Sequence, residues 1–282
     1  MKLPSFAGSK IQEYLESAQG KMVCLATIYR DHCDEEYNAC AEEMRRYSLG
    51  AGFKFLNVKK GGISDPEDGR RQVVKYDFAG DYLLFIDSDQ IFPEDTLVRL
   101  AAHNVPIVGT LVVSKAPPHY PVTAFGNPKD GFQSILNWPK DSLIEVDVTG
   151  FGCILIKREV FEIFPEGNPF QKVFSEKLDK NLGEDWSFCL RARELGFKIY
   201  VDTSIPVGHK GSYFYTVEDY LQNYQRDLIP QCQNNRFFKK AVQPTTVRHL
   251  TIHPAMERIR WTPEKAEAKK GHSLALMGEN GK

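Results

Sequence analysis

The stretch Asp81-Tyr-Leu-Leu-Phe-Ile-Asp-Ser-Asp-Gln-Ile-Phe-Pro-Glu-Asp95 decides how this chain is read. The apolar run Tyr82 to Ile86 has the length and the aromatic and β-branched content of a strand buried on both faces. It stops at two carboxylates one residue apart, Asp87 and Asp89, followed by Pro93 and a helix-like stretch from Glu94 to Ala102. In open α/β sheets ligands bind just beyond the carboxyl ends of the strands, and these two acids fall there. Carboxylates at i and i+2 can both reach one hard cation bridging phosphate oxygens, with Mg²⁺ or Mn²⁺ the natural match to oxygen ligands. The same residues also suit a plain Asp-Ser-Asp turn with a helix cap. The choice between the two rests on the rest of the chain.

Upstream, Lys21 to Ile28 reads as a first buried strand, and Thr27, Tyr29 and Arg30 stand at its carboxyl end, where a base or phosphate could be met. Asp31 to Leu49 is helical, with Tyr37, Cys40, Ala41, Met44 and Tyr47 as its apolar stripe and Gly50 as a stop. Phe53 to Val58 is a second strand, and Glu67 to Phe78 a helix bearing Arg70 and Arg71 that leads into the Asp81 stretch. This β-α-β-α-β order implies a parallel sheet with right-handed crossovers. Residues 1–20 read as a short amphipathic lead-in.

Downstream, Val105 to Val113 is another strand, and residues 114–141, rich in Pro, Gly and Asn, read as loops and short edge strands. Leu143 to Val148 is a strand, Thr149 to Lys157 joins a glycine-bearing turn to an apolar strand, and Arg158 begins a short helix. In Gly183-Glu-Asp-Trp-Ser-Phe-Cys-Leu-Arg-Ala-Arg-Glu-Leu-Gly196 the acids Glu184 and Asp185 head a helix. Its core face is expected to hold Trp186, Phe188, Cys189, Leu190, Ala192 and Leu195, with Phe197 to Val201 a closing strand. Acids at a helix N-terminus are also routine caps. His209, between Gly208 and Lys210-Gly211, is a histidine free to approach a metal. Beyond 211 come Tyr213, Phe214, Tyr215, Tyr220 and Tyr224, then a stretch from 235 to 282 in which basic residues outnumber acidic ones.

Composition narrows the field without choosing a function. The chain has 282 residues, 42% hydrophobic and 26% charged, with a formal net charge of −1, which gives no global pull toward nucleic acid or anionic membrane. Six cysteines without a CxxC pair favour buried free thiols over a disulfide framework or a zinc site. No apolar run reaches the ~20 residues of a membrane-spanning helix. A cytoplasmic protein is the expectation.

The ordered set of an Arg-bearing helix before Asp81, Asp87-Ser-Asp89, Gly150-Phe-Gly-Cys153, Gly183-Glu-Asp185 and Gly208-His209 resembles the GT-A-fold nucleotide-sugar glycosyltransferases. The similarity is to the family 2 group and its small bacterial and phage-encoded relatives, and it covers residues 21–211. It implies an α/β, Rossmann-like mixed sheet, mainly parallel and flanked by helices, as one domain over 1–211, with residues 212–282 an aromatic, basic extension serving as lid or acceptor site. It further implies transfer of a sugar from a nucleoside diphosphate sugar, a UDP-sugar first, to an acceptor hydroxyl, with inversion. The acceptor would be a glycan, a lipid-linked sugar or modified nucleic acid. Carried over by motif, Asp87, Asp89 and His209 become ligands of Mn²⁺ or Mg²⁺, and Asp185 the base with Glu184 beside it. Ala26, Thr27, Arg30, Arg71, Asp87 and Ser88 become contacts to the nucleotide. The chemistry fits independently: a diphosphate leaves only when its charge is neutralised, and a carboxylate can take the acceptor's proton. A sugar nucleotidyltransferase is the first rival, although Ala26-Thr-Ile-Tyr-Arg30 lacks the Gly-rich loop such enzymes carry after the first strand. A non-catalytic binding module on the same fold is the second.

Overall fold

The computed structural model describes residues 19–165, 167–211 and 214–224. Residues 1–18 of the lead-in expected over 1–20, Tyr213 and the basic stretch 235–282 lie outside them. β1 (Met22–Ile28), α1 (Glu35–Gly50), β2 (Lys54–Lys60) and α2 (Pro66–Gln72) come first, α2 widening into a π-helical turn, Val73–Asp77. β3 (Tyr82–Ile86), β4 (Gln90–Ile91), α3 (Thr96–Ala102) and β5 (Ile107–Thr110) follow. Then come β6 (Thr123–Asn127), β7 (Gly131–Ser134), β8 (Leu143–Val146), β9 (Val148–Thr149), β10 (Cys153–Lys157), α4 (Arg158–Ile163), β11 (Phe174–Ser175) and β12 (Lys180–Asn181). α5 (Glu184–Glu194), β13 (Ile199–Asp202), β14 (Gly208–Lys210), β15 (Phe214–Thr216) and α6 (Val217–Asn223) complete the order.

The main sheet runs β2-β1-β3-β10-β5-β13-β8. β1 lies parallel to β2 and β3, and β5 parallel to β13, whereas β10 runs antiparallel between β3 and β5 and β8 closes the edge antiparallel to β13. The fold is therefore the mixed, mainly parallel α/β sheet expected from the sequence, with helices on both faces. Strand side chains alternate between faces, and β3 shows what that does. Leu83 and Phe85 join Phe188, Cys189, Leu190 and Ala192 of α5 on one side. Tyr82, Leu84 and Ile86 join Tyr37, Ala41 and Met44 of α1 and Leu97, Val98 and Leu100 of α3 on the other. A strand covered on both faces must be apolar at every position, which is why Tyr82–Ile86 reads as an unbroken run.

Several expected boundaries shift, each for a local reason. α1 begins at Glu35, not Asp31, because residues just before it strap the Asp87 turn: Asp34 N–H donates to the Ser88 carbonyl at 3.1 Å. α3 begins at Thr96, whose N–H and hydroxyl both donate to the Pro93 carbonyl, at 3.2 and 2.7 Å, closing a turn first. The strand expected over 105–113 is hydrogen-bonded into the sheet only at Ile107–Thr110; Val113 bridges Pro121 instead. Leu143 to Val148 divides between two sheets, where Asp147 accepts from Gly126 N–H at 2.7 Å and pairs with Arg193 at 2.7 Å. In α5, Phe188, Cys189, Leu190 and Ala192 are buried as expected, whereas Leu195 is 37% exposed at the helix end. The cysteines 24, 33, 40, 153 and 189 are free thiols. Among the described residues no helix is long and apolar enough to cross a membrane.

Candidate active site

β3 delivers Asp87 directly into a tight turn, closed by Gln90 N–H donating to the Asp87 carbonyl at 3.1 Å. The chain then reverses into β4, which pairs with β14 so that Gln90 lies opposite His209 and Ile91 opposite Gly208. Lys210 N–H donates to the Asp89 carbonyl at 2.8 Å. A histidine 120 positions downstream is thus placed beside Asp89 by a short ladder. A Cβ on Gly208 would stand 2.7 Å from Ile91 Cγ1, so only glycine permits that approach.

His209 Nδ1 donates to the Val113 carbonyl at 2.8 Å, an acceptor only, so this nitrogen carries the proton. In the neutral ring Nε2 then presents its lone pair to Asp89 Oδ1, 3.4 Å away, an oxygen buried and without a hydrogen bond. One carboxylate oxygen and one backbone-oriented imidazole nitrogen facing each other suit a hard divalent cation that takes its remaining ligands from phosphate and water. Mn²⁺ or Mg²⁺ fits this pair. Burial would raise the Asp89 pKa, yet His209, when its ring is protonated and Nε2 can donate, and the Lys115 ammonium on Oδ2 together outweigh it and hold it at about 2. Asp87 Oδ1 accepts from Arg70 at 2.9 Å, and its carboxyl also feels the charges of Asp89 and His209. Among the described residues no three His, Cys, Asp or Glu side chains form a metal-holding group.

Arg70, 3% exposed, is the hinge of the second half of the site. α2 starts cleanly, with Pro66 in its first turn and the Asp65 side chain accepting from Glu67 N–H at 3.2 Å, and its next turn turns Arg70 inward. One terminal nitrogen reaches Asp87; the other donates to Glu184. The guanidinium carbon stands 5.1 Å over the Phe151 ring and 5.6 Å from Phe85. Glu184 and Asp185 head α5 as expected. Asp185 Oδ1 accepts from Trp186 N–H at 2.7 Å, and a Cβ on Gly183 would stand 2.6 Å from that same oxygen. Three carboxylates therefore crowd one buried guanidinium. Removal from water, then the neighbouring Glu184, raise the Asp185 carboxyl to about 7, against which Arg70 works only partly.

The other sequence candidates lie elsewhere. Ala26 and Thr27 are fully buried inside β1, and the Thr27 hydroxyl bonds the Tyr37 hydroxyl. Arg30 is exposed just past the strand, and Ser88 sits on the Asp87 turn, its carbonyl engaged by Asp34. Arg71 points outward and pairs with Asp68 on its own helix. Sequence reasoning chose Arg71; the structure brings in Arg70. It also brings Lys115, whose ammonium ends on Asp89 Oδ2. The sequence carries no signal for that contact, because Lys115 lies in a Pro-rich loop 26 positions away. Gln90, fully buried with neither side-chain polar atom bonded, is a further surprise.

Fold and site together define an α/β protein whose acid, imidazole and guanidinium groups gather at the carboxyl ends of β1 and β3, where such sheets bind nucleotides. No family model matches the chain, and no curated protein matches it. Among solved structures it is similar to A197 from STIV, at 15% identity and a TM-score of 0.43, over 67% of this chain and 86% of that one. It is similar to GalNAc-T7 with UDP, GalNAc and Mn²⁺, at 11% identity and a TM-score of 0.42, over 76% of this chain and 50% of that one. The inositol-1-phosphate CTP transferase from T. maritima aligns at 9% identity and a TM-score of 0.35, over 77% of this chain and 98% of that one. The chain thus spans half the length of the GalNAc-T7 structure.

Proposed function

We propose that this chain is a glycosyltransferase that moves a sugar from a nucleoside diphosphate sugar, a UDP-sugar first, to an acceptor hydroxyl, with inversion. The observation that carries the reading is one convergence. The Asp89–His209 pair and the Arg70-bridged Asp87–Glu184 pair with Asp185 beside it, drawn from four distant segments, meet at the carboxyl end of the sheet. Asp89 and His209 would hold Mn²⁺ or Mg²⁺, which when bound supplies Lewis-acid neutralisation of the leaving diphosphate. Arg70 fixes Asp87 and Glu184 and leaves Asp185 with one oxygen on Trp186 N–H. A carboxyl raised to about 7 is matched to accept a hydroxyl proton near neutral pH. The second oxygen of that carboxylate, Asp185 Oδ2, lies 3.5 Å from where a Cβ on Gly150 would stand, so Gly150 borders it at ordinary contact distance. A glycan, a lipid-linked sugar or modified nucleic acid remains the acceptor class.

The test is a calorimetric panel of nucleoside diphosphates, each with Mn²⁺ and with a chelator, followed by a search for sugar release from the matching sugar nucleotide. Metal-dependent binding by the wild type, lost in Asp89→Ala, supports the assignment. Binding of triphosphates with release of pyrophosphate would instead support a nucleotidyltransferase. Absence of any nucleotide binding would leave the non-catalytic reading standing.

A further inference from the structure

Lys115 belongs to none of the roles assigned above. It sits in a loop closed by Ser114 N–H to the Tyr120 carbonyl at 2.9 Å and by His119 N–H to the Ala116 carbonyl at 2.9 Å. The His119 ring bonds the Ser114 carbonyl at 3.0 Å and stacks on Tyr215, centroids 4.2 Å apart. Tyr215 pairs with His209 across the β14–β15 ladder. The same ladder therefore braces both the lysine loop and the histidine. The Asp89 carboxylate is shared between them, Oδ1 toward His209 Nε2 at 3.4 Å and Oδ2 under the Lys115 ammonium. The Lys115 side chain is 42% exposed. An ion pair so open to water is weakly held and exchanges readily, and an ammonium on a flexible stem is a good point-charge partner for phosphate.

We propose that Lys115 is a built-in placeholder cation. In the free protein it neutralises Asp89; when a nucleoside diphosphate binds with its divalent cation, the ammonium transfers from Asp89 to a phosphate oxygen. The proposal rests on the reading of the site as a donor diphosphate site. It has two consequences of opposite sign. Without the ammonium, Asp89 is wholly available, so metal alone binds more tightly. The diphosphate meanwhile loses a cationic partner and binds more weakly. A lysine that merely braced its loop would shift both affinities the same way, or neither.

The experiment uses the full chain as wild type, Lys115→Met and Lys115→Arg. Mn²⁺ is titrated alone with free Mn²⁺ read by electron paramagnetic resonance, and UDP, GDP, ADP, CDP and dTDP are titrated calorimetrically at saturating Mn²⁺. In Lys115→Met, Mn²⁺ alone should bind about 3- to 10-fold tighter and the preferred diphosphate about 10-fold weaker, as expected for removing one like charge and one charge-assisted contact. Lys115→Arg should keep diphosphate affinity within about threefold of wild type, since a guanidinium also serves phosphate. Unchanged diphosphate affinity in Lys115→Met, or weaker Mn²⁺ binding, overturns the assignment of Lys115 alone. A wild type that binds none of the five diphosphates overturns the donor-site reading and takes the proposal with it.

Discussion

Arg70 and Arg71 are adjacent and chemically identical, yet one helical step of about 100° separates a buried hinge from a surface pair. Arg70→Ala should lower stability by about 3 kcal/mol, because Glu184 and Asp87 would be left partly buried without their partner. Arg71→Ala should stay within about 0.5 kcal/mol of wild type, since its pair with Asp68 is on the surface. Urea denaturation of both variants decides the matter, and equal losses would remove Arg70 from its central place. Asp185 carries the pH dependence. Its carboxyl titrates at about 7 in the folded chain and at about 3.9 in an unfolded one. Folding therefore takes up a proton between those values. The stability this raised pKa contributes is full below about pH 4 and is lost as pH rises through about 7. Asp185→Asn cannot ionise, so its melting temperature should gain on wild type from pH 4 to 7 and no further above. At about 1.4 kcal/mol per pKa unit, a shift of about three units sets the gain at up to about 4 kcal/mol. Its transferase rate should fall about 10²- to 10⁴-fold, while wild-type kcat/KM climbs with pH to a plateau above about 7. A gain in melting temperature that does not depend on pH would refute the raised pKa.

At the scale of elements, the site depends on short pieces held at close range rather than on long ones. β4 and β14 pair through only a few residues, and Gly208 is what lets them touch. Gly208→Val should push β14 off Ile91 and move His209 away from Asp89. Mn²⁺ affinity is then expected to drop at least about tenfold, while the main sheet, which contains neither strand, keeps most of its stability. Comparing Mn²⁺ titration with thermal melting for this variant separates the two; intact metal binding would show that the ladder does not set the pair. α2 and α5 act likewise as carriers. Each is short, and each matters for the one or two side chains it turns toward the end of β3.

At the scale of the whole molecule, two apolar layers clamp the sheet, and a third, smaller cluster ties the chain beyond 211 to the body. Thr216 and Asp219 cap α6 reciprocally, and the fully buried Tyr220 donates to the Leu136 carbonyl at 2.8 Å while stacking on Trp138. The described part of the aromatic extension is therefore packed against the segment that carries Leu136 and Trp138, and its Tyr215 and Tyr224 rings against His119. Tyr220→Ala should cost about 3–5 kcal/mol locally, through the cavity it leaves and the lost hydrogen bond of its hydroxyl. Hydrogen exchange should show the opening concentrated in β14, β15 and α6, not in β1 or β3. Uniform loss of protection would mean that this cluster is part of one cooperative core.

The sheet was legible because strands covered on both faces cannot hide their composition: Met22–Ile28, Tyr82–Ile86 and Cys153–Lys157 announce themselves as apolar runs. The acids were legible because they stand where those runs stop, and Glu184–Asp185 because they open an amphipathic helix. What the sequence could not settle is direction. A helix turns about 100° per residue, so its pattern left Arg70 and Arg71 interchangeable until α2 packed by Gly69 against Ile28 and Ile63. Nor could spacing show that Asp87 would pair with that arginine, that Asp89 would face His209, or that Lys115 would come back across 26 residues to the second oxygen of Asp89. Those pairings exist only because β4, β14 and the loop after β5 meet in space, and contact between segments far apart in sequence is set by packing, not by local pattern.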